Sequence, residues 1–329
     1  MLVKTAGLSL LAICALAASS QQQTAPPPRE AAERGALAIL RRDGIIFPFA
    51  SFNRDSWRLT WPVGRDALIP PTIGDVPDSW WGTRTPELWN AYLYSGEVRP
   101  IELRAPVLYR TFCMSKIGLR TTYQSALPLP PTPGDPFPKD GIAISGYARL
   151  EPIETVPPTS AEWKPLETSL AAELDRAEAV TLRGVHNDTG WRHPLKEEER
   201  RAVPFRLESW YRSPGAEPGW TVSYVEAVRK YPPRPEDKGC GLETIVSGWV
   251  HHASDGQMSE PQLRGKIAYC DRVGVAYMLP FGRIRPRDQS YWIYQLSGWD
   301  DERYEVTRIE RGKVRLVIEV PGGRRGACP

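Results

Sequence analysis

Beyond its N-terminal segment the sequence has no long hydrophobic run and no large excess of charge of either sign. A membrane-spanning helix needs about 20 consecutive apolar residues, so we expect no transmembrane segment once the N-terminal segment is removed. The 329 residues carry a net charge of +3, and removal of Lys4 lowers it to +2 (3 − 1 = 2). A nucleic-acid-binding protein needs a strongly basic face, so this balance argues against a nucleic-acid partner.

Histidine is scarce, and the catalytic motifs of known mechanism are missing. The chain has only four histidines. It has no G-x-S-x-G nucleophile elbow, no H-E-x-x-H zinc helix and no G-x-x-x-x-G-K-[ST] phosphate loop. It also has no C-x-x-C pair of the kind that binds zinc. The sequence therefore predicts neither a metal site nor a cofactor.

The N-terminus has the order of charge and apolarity typical of a secretory signal peptide. A single Lys4 precedes the apolar run 8–16, and small residues follow. This pattern predicts a signal peptide over residues 1–19 and a disordered, proline-rich leader over residues 20–28. We expect a secreted or periplasmic protein. The alternative is a lipoprotein that is lipid-anchored through Cys14.

Four cysteines remain after the signal peptide, namely Cys113, Cys240, Cys270 and Cys328. An even number in an exported protein indicates two disulfides. We favour the pairs Cys240–Cys270 and Cys113–Cys328, the second of which would fasten the C-terminal tail to an early strand. The alternative is four reduced, buried thiols.

Residues 29–329 have the pattern of a single mainly-β domain with a helical insertion near residues 159–180. Leucines 166, 170 and 174 recur every four residues and form one apolar stripe, which predicts a surface helix packed on something larger. The segment 29–44 is rich in helix formers and ends at a glycine, so it predicts a second short helix. The rest of the chain has the β-branched and aromatic residues of strands.

A weak repeat runs through the second half of the chain. Gly219, Gly265 and Gly312 are 46 and 47 residues apart (265 − 219 = 46; 312 − 265 = 47), and each is followed by an apolar strand. Ser-Gly-Trp occurs at 247–249 and again at 297–299. A repeat of this length made of short strands predicts an antiparallel, propeller-like fold. A β-sandwich is the alternative.

The two Ser-Gly-Trp sequences supply the candidate ligand-binding residues. Core packing explains most tryptophans of a large β protein. Trp249 and Trp299 lie next to predicted turns, where an indole can form an exposed platform for a sugar ring. His251 and His252 follow Trp249 and could contribute polar contacts. If the repeat is real, the two turns share one surface.

Asp300 and Asp301, directly after Trp299, are weak catalytic candidates. Glycosidic hydrolysis needs two carboxyl groups that face each other about 5 to 10 Å apart, and sequence neighbours usually diverge. The sequence leaves open whether the protein is an enzyme. It favours an exported, non-catalytic binding or structural protein with a glycan or cell-envelope ligand. The alternative is an exported, carboxylate-dependent hydrolase that acts on polysaccharide.

Overall fold

The computed structural model describes residues 34–324 apart from several gaps. The residues outside the description are 1–33, 55, 61–73, 75, 77–87, 112–113, 131–137, 147, 180–181, 184–188, 192, 234, 236–238, 256, 300 and 325–329. The predicted signal peptide, the leader and Cys14 therefore lie outside the described residues, as do Cys113, Cys328 and Asp300. In the described part of the chain, no helix is both long and apolar enough to cross a membrane.

The first half of the chain forms an eight-stranded antiparallel sheet that curls into half a barrel. Its strands are β1 (Arg34–Arg41), β2 (Ile45–Asn53), β3 (Ser56–Leu59), β4 (Trp89–Leu93), β5 (Val98–Ile101), β6 (Leu103–Thr111), β7 (Met114–Thr121) and β8 (Lys139–Ser145). They run in the order β5-β4-β8-β1-β2-β7-β6, with β3 paired to β2.

The helix predicted over residues 29–44 is wrong where the structure describes it, because Arg34–Arg41 is strand β1. The strand is buried on both faces. Leu37 and Ile39 pack on one side of the sheet, and Leu40 packs on the other. Pairing with β2 and β8 satisfies its backbone groups. Burial within the sheet thus overrides the local helix propensity of alanine and leucine.

The middle of the chain forms a five-stranded sheet covered by a helix. Its strands are β9 (Glu154–Thr155), β12 (Phe205–Pro214), β13 (Trp220–Lys230), β14 (Leu242–Ala253) and β15 (Gln262–Tyr269), in the order β15-β14-β13-β12-β9. A 3-10 turn at Ala161–Leu166 leads into helix α1 (Glu167–Ala179). The small elements are β10 (Leu182–Arg183), β11 (Thr189–Trp191) and helix α2 (Glu197–Arg201).

Helix α1 packs on the five-stranded sheet through the predicted leucine stripe. Leu166, Leu170 and Leu174 are at most 1% exposed and share one apolar cluster with Trp210 of β12. Near the end of the helix, buried Glu178 accepts hydrogen bonds from Arg229 Nη1 at 2.8 Å and Tyr231 Oη at 2.6 Å. The helix is therefore fixed to the sheet by both apolar and charged contacts.

The last part of the chain forms a four-stranded sheet that lies between the other two large sheets. Its strands are β16 (Tyr277–Ile284), β17 (Ser290–Ser297), β18 (Asp301–Glu310) and β19 (Lys313–Arg324), paired in chain order, with a 3-10 turn at Pro286–Asp288. Alternate residues of β17 face opposite ways. Tyr291 and Ile293 pack with the eight-stranded sheet, whereas Trp292 and Tyr294 pack with the five-stranded sheet.

The structure confirms a mainly-β, antiparallel fold with one substantial helix, but it does not confirm the propeller or the sandwich. The glycines of the proposed repeat do not occupy equivalent positions in the structure. Gly219 and Gly312 lie in turns with φ of 78° and 66°, whereas Gly265 lies inside β15 beside helix α1. Likewise, residues 247–249 lie within β14, while residues 297–299 begin at the last residue of β17 and continue into the turn before β18.

Candidate functional site

A disulfide fastens the hairpin of β14 and β15, and it is the predicted pair Cys240–Cys270. The two Cα atoms are 5.2 Å apart, and the nearest ladder pair to the disulfide is Leu242 with Tyr269. A disulfide fits an extracellular or periplasmic protein. The second predicted pair, Cys113–Cys328, lies outside the described residues and stays a prediction.

The loop after Cys270 is held in place by a buried ionic network. Arg272 has a left-handed backbone with φ of 54°, which is costly for a residue with a side chain. Its guanidinium bonds Glu243 Oε2 from Nε at 2.6 Å and lies 2.7 Å from Glu208 Oε2 at Nη1. Further along, the carbonyl of Gly274 accepts a hydrogen bond from Lys266 Nζ at 2.9 Å. The disulfide and these bonds together fix the path of residues 271–276.

This loop forms one wall of a cleft of about 330 Å³ between the five-stranded and four-stranded sheets. The five-stranded sheet contributes Tyr224, Ser247, Arg264 and Lys266, and the four-stranded sheet contributes Asp301 and Arg303. Pockets of a few hundred Å³ with a small number of convergent polar groups are typical ligand sites. We refer to this site as the inter-sheet cleft.

Strand β15 places two cations in the inter-sheet cleft because its middle reads Arg264-Gly265-Lys266. Side chains in a strand alternate between the two faces. Gly265 faces α1, where an added Cβ would lie 2.5 Å from the Cβ of Ala177, and its N–H donates to Glu173 Oε1 at 2.7 Å. The helix thus covers one face of β15, and Arg264 and Lys266 project from the other.

The cations of the cleft have few acidic partners. Among the described residues, neither Arg264 nor Lys266 forms an ion pair. Arg303 Nη1 is 4.0 Å from Glu319 Oε1, and its Nε is buried without a hydrogen-bond partner in the described part of the chain. Asp301 is the one carboxylate among the described lining residues. Three cations against one carboxylate give the site a positive potential.

A buried carboxyl group lies beside the cleft. Glu226 follows Tyr224 on the same face of β13 and is 3% exposed. Burial raises the pKa of Glu226, and the hydrogen bond that its Oε1 accepts from the Met278 N–H at 3.1 Å opposes that shift. Tyr224 Oη lies 3.4 Å from the same oxygen. The bond from Met278 connects Glu226 of β13 to β16 of the four-stranded sheet.

The structure places the two candidate tryptophans in different environments. Trp249 is 9% exposed and packs edge-on against Trp292, with 4.9 Å between the ring centroids. The expectation of an exposed platform is therefore wrong for Trp249, because its side of β14 is buried against the four-stranded sheet. Trp299 is 61% exposed, in the turn between the strands that carry Leu296 and Asp301.

The two candidate histidines lie on opposite faces of β14. His251 is 2% exposed and pairs with Val222 on the face of Trp249. His252 pairs with Thr221, and the charge of Arg212 acts on it. Burial is the main cause that lowers the pKa of both imidazoles. In the part of the chain that the structure describes, no three His, Cys, Asp or Glu side chains are grouped to hold a metal ion.

Of the two candidate carboxylates, Asp300 lies outside the described residues and Asp301 lines the inter-sheet cleft. The sequence reasoning missed Arg264, Lys266 and Arg303. A usable signal was present, since a strand with small, uncharged Gly265 between two cations places both cations on one face.

Comparisons with protein-family models, with curated proteins and with solved structures find no match to this chain, so the interpretation of the inter-sheet cleft rests on its geometry alone.

Proposed function

We propose that the protein is an exported, non-catalytic binding protein for a glycan or cell-envelope ligand, and that the inter-sheet cleft is its binding site. The observation that carries this proposal is a polar cleft that is lined in part by the hairpin that also carries an exposed indole. Trp299 lies on the hairpin whose strands supply Asp301 and Arg303 to the cleft. A sugar ring can stack its C–H face on the indole while its hydroxyl groups enter the cleft.

The polar groups of the cleft suit a ligand rich in hydroxyl groups. Tyr224 and Ser247 each offer a hydroxyl that can donate or accept, Asp301 accepts, and the cations donate. Signal-peptide cleavage and export remain expectations from the N-terminal sequence, and the Cys240–Cys270 disulfide supports them.

The charges of the cleft favour binding over hydrolysis of a polysaccharide. Hydrolysis needs a pair of facing carboxyl groups, whereas Asp301 faces cationic side chains and no second carboxylate among the described lining residues. The hydrolase alternative is tested directly. Release of reducing ends from any polysaccharide, abolished by Asp300→Asn or Asp301→Asn, would replace the binding proposal with the enzymatic one.

The binding proposal is tested by titrating oligosaccharides of varied composition into the purified protein by calorimetry. We expect at least one to bind and Trp299→Ala to weaken that binding about ten-fold, because truncation of a stacked indole typically costs more than about 1.4 kcal/mol. The matched control is Tyr94→Ala, which removes an aromatic ring of similar exposure, 58%, on the eight-stranded sheet side. Equal affinity for Trp299→Ala and the parent protein would contradict the proposal.

A further inference from the structure

We propose that the inter-sheet cleft selects ligands with an anionic group, a carboxylate or a phosphate, which Arg264, Lys266 and Arg303 bind together. This inference rests on the proposed function and names the chemical class of its ligand. Glycan recognition alone requires only stacking and neutral hydrogen bonds. The cations of the cleft are a separate feature, and they make a separate prediction.

Three side chains of like charge converge in the cleft. Arg264 and Lys266 project from one face of β15, and Arg303 projects from β18 into the same space. Like charges that share a site repel one another. Among the described residues Arg264 and Lys266 form no ion pair, and Arg303 forms only a long one, with 4.0 Å between its Nη1 and Glu319 Oε1, while its charge also acts on buried Glu305. A bound anion would neutralise this repulsion.

The guanidinium of Arg303 includes an unsatisfied donor. Its Nε is buried without a hydrogen-bond partner within the described chain, although the side chain as a whole is 39% exposed. A buried donor without a partner costs free energy, and the guanidinium fork matches the geometry of a carboxylate or phosphate. The exposed part of the same guanidinium can donate to a ligand oxygen in the cleft.

The wall of the cleft that carries Lys266 is held in place by several bonds. Lys266 Nζ bonds the carbonyl of Gly274, and the loop that contains Gly274 is held by the Arg272 network and the disulfide. A cation fixed before the ligand arrives loses little side-chain entropy on binding. The volume of about 330 Å³ admits one sugar ring with its acidic substituent rather than a segment of folded protein.

The experiment compares an acidic oligosaccharide, trigalacturonate, with its neutral counterpart, galactotriose, and with inorganic phosphate, by calorimetry on the full protein. The test variant is Arg264→Gln with Lys266→Gln. We expect it to weaken trigalacturonate or phosphate binding about ten-fold or more while galactotriose binding is unchanged. The matched control is Arg104→Gln, an exposed arginine of β6 on the eight-stranded sheet, with a side chain 63% exposed.

A second variant moves affinity in the opposite direction. Asp301→Asn removes the one described carboxylate of the cleft with little change of shape, so it should strengthen binding of the anion. Raising the ionic strength from about 0.05 M to about 0.5 M should weaken binding of the anion to the parent protein. The same change should have a smaller effect on the variant that carries Arg264→Gln and Lys266→Gln. A loss of affinity in Asp301→Asn would overturn the inference.

The outcomes separate this inference from the proposed function. One outcome is that acidic and neutral oligosaccharides bind equally well, that Trp299→Ala abolishes this binding, and that the double variant does not change it. This outcome would overturn the anion site but would still support glycan binding. Binding of phosphate that depends on the two cations, with no binding of trigalacturonate or galactotriose, would support the anion site and contradict glycan binding. No binding of these ligands or of any oligosaccharide in the panel that tests the proposed function would overturn both.

Discussion

Single ionisable residues inside the protein act on its stability in opposite directions as pH changes. Burial lowers the pKa of His251, so the folded protein holds its proton less firmly than the unfolded chain does. Burial raises the pKa of Glu226 and of Glu305, which have the opposite effect. The stability contributed by His251 is complete above its ordinary value of 6.5 and is lost as pH falls below it. For the two carboxyls, stability is lost as pH rises from 4.5 through their raised pKa values.

The histidine effect is isolated by comparing His251→Gln with the parent protein at about pH 7.5 and about pH 5. We expect the substitution to lower the free energy of unfolding by about 1 to 3 kcal/mol at the higher pH, because it disturbs a buried position. The difference should shrink at the lower pH, where the unfolded parent chain gains a proton. Denaturant titrations measure both values, and the Glu226 and Glu305 effects cancel in the comparison. A difference that stays constant between the two pH values would contradict the assignment.

At the scale of elements, the β14–β15 hairpin connects stability to the inter-sheet cleft. Its disulfide closes a separation of 30 residues, which in the chain-entropy account stabilises the fold by about 3 to 4 kcal/mol. We expect the double variant Cys240→Ser with Cys270→Ser to lose an amount of this order in denaturant unfolding. It should also bind ligand more weakly, since the loop over residues 271–276 loses one anchor.

The control for this prediction is the reductant. Reduction should destabilise the parent protein by at least a similar amount, and any effect of the reductant on the double variant would report a disulfide elsewhere in the chain, such as the predicted Cys113–Cys328 pair. An unchanged denaturation midpoint in the double variant would show that the Arg272 network alone holds the hairpin.

The elements also show what the sequence could and could not predict. The leucine stripe predicted helix α1 because its spacing follows helical geometry and its burial against the sheet reinforces local propensity. The helix predicted for the segment that contains β1 was wrong. The alanines and leucines of this segment favour a helix in isolation, but pairing with β2 and β8 determines its structure. Ser-Gly-Trp recurs without structural equivalence, because three residues do not fix the register of a strand.

The same limit applied to the candidate site. The sequence identified Trp299 and Asp301 because both lie next to the same predicted turn. The structure places them on one hairpin, between β17 and β18. It could not predict that Arg264 and Arg303, which lie on different sheets, face the same cleft. That proximity depends on how two sheets stack, and no local pattern encodes it.

At the scale of the whole molecule, the four-stranded sheet is a shared layer. Trp292 and Ile293, neighbours in β17, are both fully buried, and they face different sheets. Trp292 also crosses to the five-stranded sheet by donating from Nε1 to Ser213 Oγ at 2.8 Å. The packing on both sides therefore depends on the position of one strand.

Truncation of either residue should destabilise the whole protein. We expect Trp292→Ala to cost about 3 to 5 kcal/mol and Ile293→Ala about 2 to 5 kcal/mol, because each leaves a cavity in a close-packed layer. The control is Leu316→Ala in β19, where the side chain is 47% exposed and the cost should be within about 0.5 kcal/mol. Thermal unfolding monitored by far-UV and near-UV circular dichroism checks the prediction. Separate transitions in the parent protein would contradict a shared layer.

The position of that layer along the chain has a consequence for synthesis. Strands β16–β19 come after every described strand of the eight-stranded and five-stranded sheets. A growing chain folds its N-terminal parts first, so two apolar sheet faces form before the sheet that covers them has been made. Those faces include Phe49 and Ile144 on one side and Val222 on the other. During synthesis the protein therefore exposes two apolar sheet faces at the same time, and both can aggregate. Completion of the last four strands covers both faces.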